Sequence, residues 1–249
     1  AHRKHTSTAK LAHVLKTAVA GLLMEKELSA LGGLLNNPQR PFTAVVGGAK
    51  ISSKIGVLEN LLDKVDNLIV GGGMAYTFVK ANGGKIGNSI HEDDQMETAK
   101  AIEKKAKDKG VNLIMATDVL AADDFSGNGT NKVVPVNEIP DGFEGVDAGP
   151  ETQKAFEDVI KKSKTILMNG PVGAFENPKF AQGTKAVLKA IVEATKAGAV
   201  SVVGGGDSVS AAKKFCNGDD FTHISTGGGA SLEFIEGKVL PGVDALDNV

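Results

Sequence analysis

Asp207 and Ser208 follow three glycines in "VSVVGGGDSVSAA" (200–212), where an apolar run gives way to a stretch of helical character. One carboxylate and one hydroxyl beside bare main chain suit a phosphate ligand. A Mg2+ ion bridging phosphates takes one or two carboxylates and keeps several waters, and free N–H groups at a helix start attract anions. Asp at a helix start is also an ordinary cap, so both readings stand. Lys50 and Lys54, in "VVGGAKISSKIG" (45–56), are four apart at a predicted helix start, which would set both ammoniums on one face. A cation in the first turn opposes the helix dipole by about 0.3–1 kcal/mol. Either lysine alone reads as a solvated surface residue, but the pair beside glycines fits a polyanion better. Glu176, in "NGPVGAFENP", follows another strand end and could accept from ribose hydroxyls; alone it would be a solvated loop carboxylate.

These residues need a scaffold that brings them together. Apolar runs at 42–48, 66–73, 111–118, 164–171, 199–206 and 221–229 are each short enough for a buried strand. Helical periodicity falls between them, at about 10–35, 51–63, 74–82, 94–109, 151–163, 181–197, 207–216 and 230–236. Continuous apolar strands alternating with helices predict a parallel sheet covered on both faces. The fold class is α/β, a three-layer αβα sandwich with a six-stranded, mainly parallel, Rossmann-like sheet. Residues 120–150, rich in Gly, Pro and Asp, break the rhythm as an irregular excursion with short extra strands. No linker divides the chain and no fixed period repeats, so one domain is expected.

Five of the six strand candidates run into glycine at their carboxyl ends, at Gly47–Gly48, Gly71–Gly73, Gly170, Gly204–Gly206 and Gly227–Gly229. In an open parallel sheet those ends share one rim, where ligands bind. Tight strand-to-helix turns account for one glycine each. They account poorly for three triplets, since each extra glycine costs roughly 0.5–1 kcal/mol of chain entropy against Ala. A nucleotide lying against main-chain N–H groups is the expected ligand. It is not held by the familiar loops. "GGKI" at 83–86 puts Ile86 where a P-loop needs a hydroxyl, and the dinucleotide spacing fails at Tyr76, Val209 and Leu232.

Composition narrows the classes further. The net charge of −2, from 28 basic and 30 acidic residues, shows no basic cluster for nucleic acid. The single Cys216 rules out a disulfide framework and fits a reducing, cytoplasmic setting. No apolar stretch approaches a membrane span, and "AHRKHTSTAK" lacks the apolar core of a signal peptide. The polar opening without an initiator Met suggests a piece of a longer chain. His2 and His5 lack the further ligands a metal site needs.

The stretches "VVGGAKISSKIGVLENLL", "IVGGGMAYTF", "NGPVGAFE", "VVGGGDS" and "STGGGASLEFIEGKVLPGV" together resemble phosphoglycerate kinase. The resemblance runs the whole chain but covers only the C-terminal, nucleotide-binding half of that two-lobed enzyme. Residues 1–10 resemble the interlobe segment, and about 238–249 the tail returning toward the N-terminal lobe. The resemblance implies reversible phosphoryl transfer between 1,3-bisphosphoglycerate and MgADP, giving 3-phosphoglycerate and MgATP. It places Lys50 with the migrating phosphoryl group and Lys54 on the nucleotide phosphates. Asp207 would be the Mg2+ carboxylate, with Gly205, Gly206 and Ser208 around the phosphates. Glu176 would meet ribose, with Asn169 and Pro171 beside the nucleotide. Gly48, Ala49, Gly72 and Gly73 would border adenine between Ile90, Val146 and Ala174. Gly227, Gly228 and Gly229 would start the helix that meets the phosphoryl group, and Arg3, with His2 beside it, would bind the acceptor. Met168 stands where many relatives carry Trp.

Without the acceptor-binding lobe, these residues are expected to bind nucleotide with negligible turnover, and the intact enzyme is expected to be a monomer. Other readings are a nicotinamide- or flavin-binding protein, against which the missing fingerprint counts, and a non-catalytic regulatory module of the same fold.

Overall fold

Apolar runs become strands where both faces are buried. Phe42, Ala44 and Val46 of the first strand point into one core, while Val45 points into a second on the opposite face. Its neighbours split in the same way, with Leu68, Leu167 and Val202 to the first core and Ile69, Met168 and Val203 to the second. A strand flanked by two cores has no polar face, which is why these segments show no period of two.

A computed structural model describes residues 1–247. In chain order α1 (Leu22–Asn36) leads to β1 (Phe42–Val46), α2 (Ile55–Leu61), β2 (Asn67–Val70), α3 (Ala75–Ala81), β3 (Lys85–Ile86), α4 (Met96–Asp108) and β4 (Asn112–Ile114). Next come β5 (Asp118–Ala122), β6 (Asn131–Pro135), β7 (Glu138–Ile139) and β8 (Glu144–Ala148). The chain then forms α5 (Pro150–Lys161), β9 (Thr165–Asn169), α6 (Gln182–Lys196), β10 (Val200–Gly204) and α7 (Gly206–Phe215), and ends with β11 (His223–Ile224), α8 (Gly229–Ile235) and α9 (Pro241–Asp244).

The main sheet has the order β11-β10-β9-β1-β2-β4, and every pairing in it is parallel. Helices α1, α2, α3, α4 and α8 send buried side chains into the first core, and α5, α6 and α7 into the second. The expected three-layer, Rossmann-like sandwich is therefore present, with a sheet that is parallel throughout.

The excursion carries its own strands, as expected. β5 pairs antiparallel with β6 and β8, while β7 pairs parallel with β3. Two aspartates tie this layer to the sandwich. Asp118 accepts the N–H groups of Glu151 (3.1 Å) and Thr152 (2.8 Å) at the start of α5, and Asp147 accepts that of Gly183 (2.9 Å) at the start of α6.

Three expectations need correction. The helix expected over 10–35 begins only at Leu22, after an irregular start of a π-turn at Thr6–Lys10 and a 3-10 turn at Leu11–His13. Gly21 is extended, and Val14, Leu15 and Val19 are exposed; a helix gains most of its stability from a packed face, which this segment lacks. The run 221–229 keeps just two strand residues, His223–Ile224, and Ser225 and Thr226 after them donate to Glu27. The run 111–118 splits, with Asp118 already in the excursion. Residues Ala1 and Ala18 bond the end of the chain, through Gly242 N–H to Ala1 O (2.8 Å) and Asp247 N–H to Ala18 O (2.8 Å). The last two positions of the 238–249 tail lie outside the described residues. No helix among the described residues is long and apolar enough to cross a membrane.

Candidate functional site

The chain lays strands outward in one direction through β1, β2 and β4, then returns to the other side of β1 and builds outward through β9, β10 and β11. Between β1 and β9 the loops leave in opposite directions, and a crevice opens at the carboxyl ends. A cleft of about 330 Å³ lies there. Its lining combines Gly48 and Ala49 after β1, Gly72 and Gly73 after β2, Pro171 and Glu176 after β9, and Asp207 in the first turn of α7. Ile90, Val146 and Ala174 supply apolar walls. Larger hollows of about 1030 and 1230 Å³ run beside α1 and beside β7, but neither gathers these groups.

The crevice is narrow because two turns touch. Gly47 N–H donates to Asn169 O at 3.0 Å. A Cβ on Gly47 would fall 2.0 Å from Pro171 O, and one on Gly170 2.0 Å from Gly47 O. Side chains at either position would force the β1 and β9 exits apart. Gly205 precedes α7 with φ +89°, the left-handed region that favours glycine. The following turn presents the N–H groups of Gly206, Asp207 and Ser208, which have no partner within the helix.

Lys54 is not among the lining residues but lies directly beside them, its Cε 3.6 Å from where a Cβ on Gly48 would stand. Its Nζ donates to Asn169 Oδ1 at 2.5 Å, and Asn169 Nδ2 donates to Gly204 O at 3.2 Å. Burial pulls the Lys54 ammonium below its ordinary pKa, while the charges of Asp207 and Glu236 pull the other way. A half-buried cation beside a neutral amide and an exposed carboxylate is ready to receive anionic oxygens.

Three sequence expectations are modified here. Lys50 and Lys54 do not share a helical face: Lys50 is extended (φ −129°, ψ 131°), a 3-10 turn follows at Ile51–Ser53, and α2 starts after Lys54. Lys50 is exposed and is not among the cleft-lining residues. Its charge reaches Glu92, whose carboxylate accepts the Ser52 N–H (3.0 Å) and hydroxyl (2.6 Å). The Ser208 hydroxyl does not face the phosphate end, since the side chain is fully buried and its Oγ accepts the Gly170 N–H at 2.5 Å. It braces the β9 exit. Nor do Gly227–Gly229 line the cleft; they begin α8, where Gly229 lies beside His2. Arg3 is exposed and likewise outside the cleft lining.

The loop before α8 is held from a distant helix. Glu27 on α1 accepts the N–H (2.6 Å) and hydroxyl (2.9 Å) of Thr226 and the Ser225 hydroxyl (2.8 Å), with His223 Nε2 3.1 Å away. Burial would raise its carboxyl pKa, but these donors outweigh burial and hold it below the ordinary value. Several cleft residues also escaped sequence reasoning. Phe125, 55 % exposed, stands at the mouth, and Tyr76, Glu144 and Gly145 line the wall. For Phe125 the available signal is an isolated aromatic in the polar run "ADDFSGNG". Among the described residues no group of three or more His, Cys, Asp or Glu could hold an ion. An ion at Asp207 would draw its remaining ligands from phosphate and water, which suits Mg2+.

Fold and cleft together define a Rossmann-like α/β protein with its candidate ligand site at the switch point of a parallel sheet. The sequence matches the family model of phosphoglycerate kinase over residues 1–238. The chain belongs to the phosphoglycerate kinase family, which comprises phosphotransferases of glycolysis. Phosphoglycerate kinase from Coxiella burnetii is 44% identical with a TM-score of 0.94, over 98% of this chain and 63% of that one. The enzyme from Pyrococcus horikoshii OT3 is 31% identical with a TM-score of 0.81, over 98% of this chain and 61% of that one. The chain thus spans somewhat over three-fifths of the length of these relatives.

Proposed function

We propose that residues 1–249 form the nucleotide-binding, C-terminal lobe of a phosphoglycerate kinase, which moves a phosphoryl group between 1,3-bisphosphoglycerate and MgADP. The observation that carries this reading is the convergence of Asp207, Glu176 and the glycine turns after β1, β2 and β9 on one cleft, with Lys54 packed against Gly48 beside it.

In this reading adenine lies between Gly48, Ala49, Gly72 and Gly73 on one side and Ile90, Val146 and Ala174 on the other, with Pro171 alongside. Glu176 accepts from ribose. Lys54, Asn169 and the N–H groups of Gly205, Gly206, Asp207 and Ser208 receive the phosphates. Asp207 would hold a Mg2+ ion, which neutralises phosphate charge when bound. Phosphoryl transfer needs positioning and charge stabilisation rather than a general base. Lys50 and the N-terminus of α8 at Gly227–Gly229 would serve the group in transit, and Arg3 the acceptor. Residues 1–10 would be the interlobe segment and about 238–249 the returning tail. Most of the acceptor site and the closure that expels water would belong to the other lobe.

Titration calorimetry with MgADP tests this reading. One equivalent is expected to bind to the 249-residue chain, while a coupled assay with 3-phosphoglycerate and MgATP shows negligible turnover. No uptake of MgADP or MgATP would remove the nucleotide reading, and turnover like that of a two-lobed enzyme would remove the division of labour.

A further inference from the structure

Asp147 lies on β8 with 2 % of its surface exposed, and no Lys, Arg or His among the described residues offsets its charge. A buried carboxylate without a cation is an expensive group to keep. Part of its work is at the start of α6. There Oδ2 accepts the Gly183 N–H at 2.9 Å, where the N-cap residue Ala181 offers no side-chain acceptor. Oδ1 accepts the Ala148 N–H at 2.9 Å.

Capping alone does not explain its second neighbour. A Cβ on Gly173 would fall 2.1 Å from Asp147 Oδ1, and one on Gly183 would fall 2.5 Å from the same atom. The carboxylate therefore fills the gap between two glycine α-carbons, one in the cleft wall and one in α6. Immediately beside it, Val146 O accepts the Ala174 N–H at 2.9 Å. β8 thus grips the Pro171–Glu176 wall at two adjacent residues. Asp118 caps α5 by similar bonds, but the glycine packed on it, Gly149, is outside the cleft lining, whereas Gly173 is within it.

We propose that Asp147 is a positioning residue for the cleft: wedged between Gly173 and Gly183, its carboxylate sets the height of the Pro171–Glu176 wall and hence the base and ribose end of the site. This rests on reading the cleft as a nucleotide site. The phosphate end is built by Lys54, the α7 turn and Asn169; Asn169 ends β9, but its side chain is held by Lys54 and Gly204 O rather than by β8.

The test compares Asp147→Asn with the wild type in the full chain, well below either melting temperature. Asn presents an N–H2 group where Gly183 needs an acceptor. Affinity for MgADP is expected to fall about tenfold, while that for Mg2+–tripolyphosphate, which lacks base and ribose, is unchanged. Amide hydrogen exchange at Ala174, measured without ligand, is expected to accelerate. Gly173→Ala, which retains the carboxylate but crowds it from the wall side, is expected to give the same selective loss, and it decides the matter if Asp147→Asn does not fold. Equal losses for both ligands, or no loss, would leave Asp147 a helix cap and overturn the proposal. If the wild type binds neither ligand, the nucleotide reading fails instead, and unchanged Ala174 exchange would overturn the positioning role independently.

Discussion

Lys54 Nζ donates to Asn169 Oδ1 at 2.5 Å, so a half-buried ammonium beside the cleft rests on a neutral amide rather than on a carboxylate. An amide releases a cation to an arriving phosphate more readily than an ion pair would, because less Coulomb attraction is given up. Lys54→Met is expected to weaken MgADP binding by at least about tenfold, the scale of one charge-assisted contact. Asp207→Ala is expected to erase the difference in ADP affinity with and without Mg2+. Paired titrations check both.

Phe125 stands half-exposed at the cleft mouth, 6.1 Å from the Phe180 ring. Stacking of a base on an aromatic ring contributes about 1–3 kcal/mol. Phe125→Ala is therefore expected to weaken MgADP about tenfold, at the lower part of that range because the ring is open on one side. Mg2+–tripolyphosphate affinity should not change, and competition between the two ligands would show it.

Glu27 ties α1 to the loop that begins α8. Its depressed pKa means that the stability it confers is present above the ordinary value of 4.5 and is lost as the pH falls through the lowered value. Glu27→Gln is expected to lower the melting temperature at neutral pH, by the about 1–3 kcal/mol typical of disturbing bonds to a charged acceptor. The gap should close as the pH falls below the lowered value. Thermal melts of both proteins across that range test the sign.

Asp147 behaves in the opposite way. Burial pushes its carboxyl from 3.8 up to about 7, against the pull of the Gly183, Ala148 and Gln182 N–H groups. The folded chain keeps a proton that the unfolded chain has lost, so this contribution is complete below pH 3.8 and declines as the pH rises toward 7. The melting temperature of Asp147→Asn relative to wild type is expected to improve as the pH rises from 3.8 to about 7 and to level off above it. A constant difference would contradict the raised value.

The strands of the main sheet were legible because burial on both faces leaves an apolar run that stops where glycine begins. The same rule located Gly48, Gly72, Gly73, Pro171 and Asp207 at one rim, without showing that the exits of β1 and β9 touch. Helical spacing misplaced the two lysines, since a five-residue motif cannot show that the chain stays extended at Lys50 and turns as a 3-10 helix after it. Ser208 misled for another reason: a hydroxyl beside a phosphate-type turn looks available until Gly170 is found donating to it. Glu27, Phe125, Tyr76 and Asp147 reach their partners only through tertiary contact. Glu27 and Thr226 are 199 positions apart, and no local pattern announces such a bond.

The floor of the cleft is peptide backbone, and the turns at Gly47 and Gly170 are already in contact. Such a floor is hard to retune by single-codon change, because most new side chains would wedge the crevice open. Under the proposed nucleotide reading, changes in base preference are expected at the fringe, at positions such as Ile90, Phe125 and Ala174, rather than at these turns.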